Sequence, residues 1–291
     1  DADLVRFLQR AAGYALTGST REHALFFGYG TGGNGKGVFL NTLAGIFGDY
    51  ATIAPMETFA ATQTDRHPTE LAMLRGARLV TAQETEQGRA WAESRIKSLT
   101  GGDPITARFM RADFFTYQPQ FKLFIAGNHK PALRNVDEAM RRRMHMIPFT
   151  VTIPPDQRNP NLAAELKAEW PAILAWAIAG CLDWQRQGLA APAAVAAATD
   201  EYLSGEDALG QWIEECCEVG RHCQEGSTVL YSAWKTWAER AGEQAGTQRR
   251  FSQALQTRGF TPSRLPNSKA AFDGIRLPIE RPHHETDKDR D

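Results

Sequence analysis

Leu4, Phe7, Leu8, Ala11 and Ala15 recur at the spacing of one helical face, and predict a helix over 1–22. The next run, HALFFGYG (23–30), is apolar without interruption and closes on glycines, as a buried strand does. From Lys36 the period turns helical over 36–50, with Phe39, Leu40, Leu43, Ile46 and Phe47 on one side. Three more apolar runs read as strands: ARLVTAQE (77–84), FKLFIAGNHKP (121–131) and RMHMIPFTV (143–151). Between the first two of these, ITARFM and FFTYQPQFKLF are extended, aromatic-rich pieces around RAD and predict a hairpin. Residues 162–200 become alanine-rich and helical, up to a break at Ser204-Gly205.

Strands separated by helical stretches predict an α/β core: a mostly parallel sheet with helices on both faces. Beyond the break, DALGQWIEECCEV, VLYSAWKTWAERAG and TQRRFSQALQTRGF predict three short helices, and TPSRLPNSKAAFDGIRLP short extended pieces. Three helices and a β-wing describe a winged-helix module. The expected organisation is a helical segment over 1–22, the core over 23–203, the small module over 204–280 and a disordered polar tail over 281–291.

Composition narrows the class. With 42% hydrophobic and 23% charged residues, the chain can bury an ordinary globular core. No apolar run approaches ~20 residues, so no membrane-spanning helix is expected. No secretory leader opens the chain, and the missing initial Met suggests an excised part of something longer. A net charge of −1 excludes a uniformly basic coat, so any nucleic-acid contact must be local. One local excess exists: residues 231–276 hold eight Lys/Arg against three acids. Its pair Arg249-Arg250 suits a helix laid against a DNA backbone. Cys216, Cys217, His222 and Cys223 lie close together, but adjacent cysteines do not readily address one ion and no second cluster completes four ligands. Buried thiols on a helix, in a reducing cytoplasm, are expected instead.

The chemistry concentrates in Gly30-Thr31-Gly32-Gly33-Asn34-Gly35-Lys36, a GxxxxGK loop between a buried strand and an amphipathic helix. Such glycines let main-chain N–H groups converge on phosphate oxygens, the helix start adds positive potential, and Lys36 adds a mobile cation. Gly37 follows where a Ser or Thr hydroxyl usually helps to hold magnesium, which leaves open how the metal is held. ATP and Mg2+ are the expected cofactors. Glu84, with Glu86 ranked behind it, ends the second strand, where a carboxylate can hold magnesium through water and polarise an attacking water. Asn128 ends the third strand, where an amide can position that water or simply form a turn. Arg141, Arg142 and Arg143 precede the fourth strand, either as an arginine finger for a neighbouring subunit or as a solvated basic turn paired with Asp137 or Glu138.

The loop, the strand-end ETE, IKSLTGGDPITARFM, FKLFIAGNHKP and DEAMRRRMHMIPF, in this order, resemble a superfamily 3 helicase of the phage, plasmid and poxvirus primase-helicase type. The resemblance is tight over 1–150, and the tail resembles that subgroup's winged-helix appendage. It implies an AAA+-like core that assembles as a ring, usually a hexamer, on single-stranded and forked DNA, with ATP sites between subunits. A primase domain or protein upstream and a bacterial host cytoplasm are implied with it. On this likeness Lys36 is the phosphate-loop lysine, Glu84 the metal and water carboxylate, and Asn128 the first sensor. Arg142, with Arg143 beside it, takes the finger position. The stretch 97–122 matches the DNA-contacting segment, so Lys97, Arg108, Arg111 and Lys122 are expected to grip phosphates. Phe109, Phe114 and Phe115 are expected in the core.

Overall fold

The computed structural model describes residues 1–61, 69–84, 90–133 and 136–278 of the 291-residue chain. The chain divides into two compact units, Asp1–Glu206 and Asp207–Asp291.

The first unit opens with α1 (Ala2–Ala15), β1 (Leu25–Tyr29), α2 (Lys36–Phe47), β2 (Ala51–Ile53) and α3 (Thr69–Ala72). It continues through β3 (Leu79–Glu84), α4 (Glu93–Gly101), the strands β4 (Ile105–Ala107) and β5 (Phe115–Tyr117), and β6 (Lys122–Gly127). It closes with α5 (Glu138–Arg141), β7 (Met144–Pro148), α6 (Leu162–Ala168), α7 (Trp170–Gln187) and α8 (Ala193–Gly205). Five strands form one sheet in the order β2-β3-β6-β1-β7, and every pairing is parallel. Helices cover both of its faces, a P-loop-like α/β arrangement.

Strand alternation sorts the core. Leu25, Phe27, Val80, Leu123, Ile125 and Met146 point to one face, against Ile96 and Leu99 of α4 and Tyr202 and Leu203 of α8. Phe26, Leu79, Phe124, Ala126 and Ile147 point to the other, against α1, α2 and α7 through Phe7, Leu43, Phe47 and Ala177. The edge strand β7 is covered by α8, whose Thr199 hydroxyl accepts the Met146 N–H at 2.9 Å. Sequence periodicity finds four strands of this sheet and misses β2, whose three residues are too few to show a period.

The expected hairpin exists: β4 and β5 pair antiparallel from Ile105↔Tyr117 to Ala107↔Phe115. Its tip differs from expectation. Phe109, Met110 and Phe114 stand exposed, Met110 at 71% and Phe114 at 61%, and only Phe115 is half-buried. The hairpin is rooted instead at its base, where Tyr117 donates to Leu71 O at 2.6 Å and Arg75 lies over the Phe115 ring.

The second unit runs α9 (Ala208–Cys216), β8 (Glu218–Gly226), α10 (Ser227–Ala241), α11 (Gln248–Thr257), β9 (Thr261–Arg264) and β10 (Ala270–Arg276). Its strands form an antiparallel sheet in the order β8-β10-β9. Trp212, Leu230, Trp234, Phe251, Leu255 and Phe272 make its core. Asp207 caps α9 by accepting from Gly210 N at 3.0 Å and takes a two-pronged bond from Arg258. The thiols are not gathered on one helix: Cys216 ends α9, Cys217 follows it and Cys223 lies in β8. The tail over 281–291 lies outside the described residues.

Candidate functional site

The sheet register assembles the site. Tyr29 of β1 and Glu84 of β3 both pair with Gly127 of β6, so three adjacent strands end level. The loop 30–35, the end of β3 and Asn128 therefore share the carboxyl edge of the sheet, where ligands of open parallel sheets bind. Glu84 is placed there by its main chain; its side chain and Glu86 lie outside the described residues.

The loop takes a path that glycine permits, with positive φ at Gly30, Gly32, Gly33 and Gly35. A Cβ on Gly30 would overlap Phe149 O, whereas Gly32, Gly35 and Gly37 have open space where a Cβ would stand. The loop is thus braced on one side and open on the other. Gly35 caps α2 without a side-chain bond, so the N–H groups of the first helical turn meet no capping side chain. Such an arrangement can cradle phosphate oxygens, and its residues fit a nucleoside triphosphate.

Lys36 is buried, and its Nζ donates to Gly30 O at 2.7 Å, Asn34 Oδ1 at 3.0 Å and Asn128 Oδ1 at 3.3 Å. The bond to Asn128 joins two of the expected site residues across 92 positions of sequence. Burial lowers the Lys36 pKa, and all three acceptors are neutral oxygens, so an anion can displace them. Among the described residues no three His, Cys, Asp or Glu side chains gather as a metal cluster. Magnesium carried on phosphate oxygens with several waters and one carboxylate needs no such cluster.

A strap that the motif did not reveal runs along the outside of the loop. Asn34 Nδ2 donates to Phe149 O at 2.8 Å, the Thr31 and Thr152 hydroxyls lie 3.2 Å apart, and Ile153 N donates to Gly33 O at 2.8 Å. Arg158 Nε then donates to Ile153 O at 2.9 Å, which brings its guanidinium over Gly33. These residues carry no local signature, because the loop and the strap meet only through the pairing of β1 with β7.

The expected arginines lie elsewhere. Arg142 and Arg143 precede β7, at the amino edge of the sheet, and β7's five residues put roughly 16 Å between them and the loop. Arg142 is exposed. Arg143 is not a free finger: it is buried and donates to Thr100 Oγ1 at 3.1 Å and Ala139 O at 2.8 Å. Burial first, then the neighbouring Arg142 charge, lowers its pKa.

Of the expected DNA contacts, burial contradicts Lys122, and Lys97 is engaged in an ion pair. Lys122 is only 1% exposed, and its Nζ bonds Thr17 O and Gln120 O beside the Tyr14 ring, so no phosphate can reach it. Lys97 is ion-paired with Asp137. Burial would raise the Asp137 carboxyl, but the hydrogen bonds from Lys97 and Met140 N–H and the charges of Lys97 and Arg143 outweigh it and lower the pKa. Arg108 and Arg111 remain at the hairpin tip, Arg108 with its guanidinium 4.7 Å from the Phe114 ring centre and Arg111 exposed at φ 60°. In the second unit Arg249 and Arg250 stand exposed on the first turn of α11.

Comparison with known proteins adds the following. The family of unknown function DUF5906 matches residues 28–143, from the loop to the arginine cluster. "Putative helicase 022R" of frog virus 3 (isolate Goorha) is 26% identical over 268 residues, 84% of this chain and 27% of that protein. "Putative helicase L207/L206" of Acanthamoeba polyphaga mimivirus is 28% identical over 153 residues, 51% of this chain and 16% of that protein. The chain therefore corresponds to about a quarter or less of the length of these relatives. Among solved structures, the apo C-terminal region of NrS-1 (305–718) is alike in fold, with a TM-score of 0.51 at 10% identity over 94% of this chain and 72% of that one.

Proposed function

We propose that this chain is the ATP-driven core of a ring-forming DNA helicase of superfamily 3 type, followed by a winged-helix DNA-binding module. The observation that carries the proposal is the convergence of the glycine loop, the end of β3 and Asn128 at one sheet edge, with Lys36 Nζ bonded to Asn128. Names of the viral relatives support the helicase reading, and the order α9-β8-α10-α11-β9-β10 supports the winged helix.

In this reading the loop amides and Lys36 bind the outer phosphates, Lys36 exchanging its three neutral acceptors for phosphate oxygen. Glu84 polarises the attacking water and Asn128 orients it. Magnesium, when bound, neutralises charge on the phosphates, with Glu84 as its protein partner through water. Arg142 acts on the site of a neighbouring subunit. The hairpin tip, with Arg108 and Arg111 among exposed Phe109, Met110 and Phe114, holds single-stranded DNA by charge and stacking. Arg249 and Arg250 hold duplex backbone.

Gly37 favours a second reading, a DNA-binding protein switched by ATP with little hydrolysis. One experiment decides: ATP hydrolysis with and without single-stranded DNA, titrated with magnesium, for the wild type, Lys36→Ala and Gly37→Ser. Space at Gly37 is open, so the serine is accommodated. A DNA-stimulated wild type, an inactive Lys36→Ala and a Gly37→Ser that saturates at lower magnesium are expected. Turnover by the serine variant alone supports the switch protein. No turnover in any variant, with nucleotide and DNA present, ends the helicase reading.

A further inference from the structure

We infer that Arg158 is a second cation of the phosphate site, acting within its own chain on the polyphosphate of a nucleoside triphosphate. This rests on the nucleotide reading of the loop. Lys36 is the one cation that the GxxxxGK motif supplies, and it is buried beneath the loop. Arg158, by contrast, is exposed and reaches the loop from the strap. A Cβ on Gly33 would run into its Nη2, with Cζ 3.0 Å away, so the guanidinium rests directly on the main chain at the crest of the loop. Its Nε donates to Ile153 O, and Ile153 N donates to Gly33 O, so two hydrogen bonds fix the base of the guanidinium to the residue it covers. The donors on Nη1 and Nη2 are not consumed by that tether, and the side chain is exposed.

A triphosphate with bound magnesium still carries net negative charge, and a planar guanidinium can meet two of its oxygens at once. Pro154 and Pro155 stiffen the strap between Ile153 and Arg158 and keep the cation at the loop at little entropic cost. Gly33 is required twice over: its φ is +67°, and any side chain there would displace Arg158.

The test uses the 291-residue chain and equilibrium binding of Mg-ATP, ADP, AMP and adenosine, at low and high salt, for the wild type, Arg158→Ala, Arg158→Lys and Lys36→Ala. Arg158→Ala is expected to weaken Mg-ATP binding about tenfold, the loss of one charge-assisted pair, and adenosine binding hardly at all. Arg158→Lys should recover part of the loss, and the difference between Arg158→Ala and wild type should shrink with salt. Equal weakening for ATP and adenosine would assign Arg158 a purely structural role and overturn the inference. So would an Arg158→Ala protein that binds Mg-ATP as the wild type does while Lys36→Ala does not. A wild type that binds no nucleotide under any of these conditions would overturn the nucleotide reading itself.

Discussion

Lys122 illustrates how a side chain's role is set by its burial. Its sequence setting, between aromatic extended runs, resembles a phosphate-gripping hairpin, yet it is the first residue of the central strand β6 and faces main-chain carbonyls. Burial lowers its pKa from 10.5 to about 7, with Arg78's charge adding to the shift and Cys181 opposing it. The unfolded chain keeps this proton up to about pH 10 and the folded chain releases it near 7, so the unfolded state binds more protons in between. Stability from this group is complete above the unfolded value and falls as pH drops towards 7. Unfolding free energies from urea titrations at pH 7, 8 and 9 should therefore climb in the wild type, by at most about 1.4 kcal/mol per pH unit from Lys122, and climb less in Lys122→Met. DNA affinity should be unchanged by the same substitution. Identical pH slopes in the two proteins, or a loss of DNA binding, would refute this account. The glycines and Lys36 were legible in the sequence because their chemistry is contiguous. Arg158, Lys122 and Arg143 were not, because burial and contact at these positions depend on segments far away in sequence.

At the scale of elements, local period sufficed wherever an element was long enough to repeat it. Helix α1 shows a clean apolar face, β1 and β6 are short runs of near-continuous burial, β3 is buried from Leu79 to Ala82, and β7 is buried at Met144, Met146 and Ile147. What period cannot give is how closely two helices approach. Helices α1 and α7 meet at glycines: a Cβ on Gly180 would overlap Gln9 O, and one on Gly13 would overlap Cys181 N. Arg10 fastens the same pair, donating to Leu189 O at 2.8 Å, Ala190 O at 3.0 Å and Asp183 Oδ2 at 3.1 Å. Gly180→Ala should therefore destabilise the first unit by about 1–3 kcal/mol, the cost of overpacking a close contact. Gly205→Ala, at the end of α8 with open space around it, should be neutral or slightly stabilising. Thermal melts of both variants check the pair, and equal shifts would show that the α1–α7 approach is not tight. The exposed tip of the β4–β5 hairpin escapes the sequence for a related reason: aromatic content alone does not tell an inward ring from one carried on the connection between two three-residue strands.

For the whole molecule, the two edges of the parallel sheet hold different groups. Lys36, Asn128 and the end of β3 occupy the carboxyl edge, and Arg142 the amino edge, about 16 Å away along β7. That separation exceeds the reach of an arginine side chain, so if Arg142 serves the phosphates it must serve those of another copy. Its burial neighbours reinforce the point, because Arg143 is held inside the unit and leaves Arg142 as the exposed member of the two. Subunits with Arg142→Ala retain an intact Lys36, and subunits with Lys36→Ala retain an intact Arg142. Each protein alone should hydrolyse ATP at well below the wild-type rate. Mixed under assembling conditions with DNA, they should recover a fraction of that rate, because some interfaces unite the intact lysine of one subunit with the intact arginine of its neighbour. Recovery should follow the mixing ratio and be highest near equal amounts. Zero recovery in assemblies shown to be mixed, for example by mass measurement, would mean that Arg142 does not complete a neighbour's site, and the ring reading would lose its physical basis.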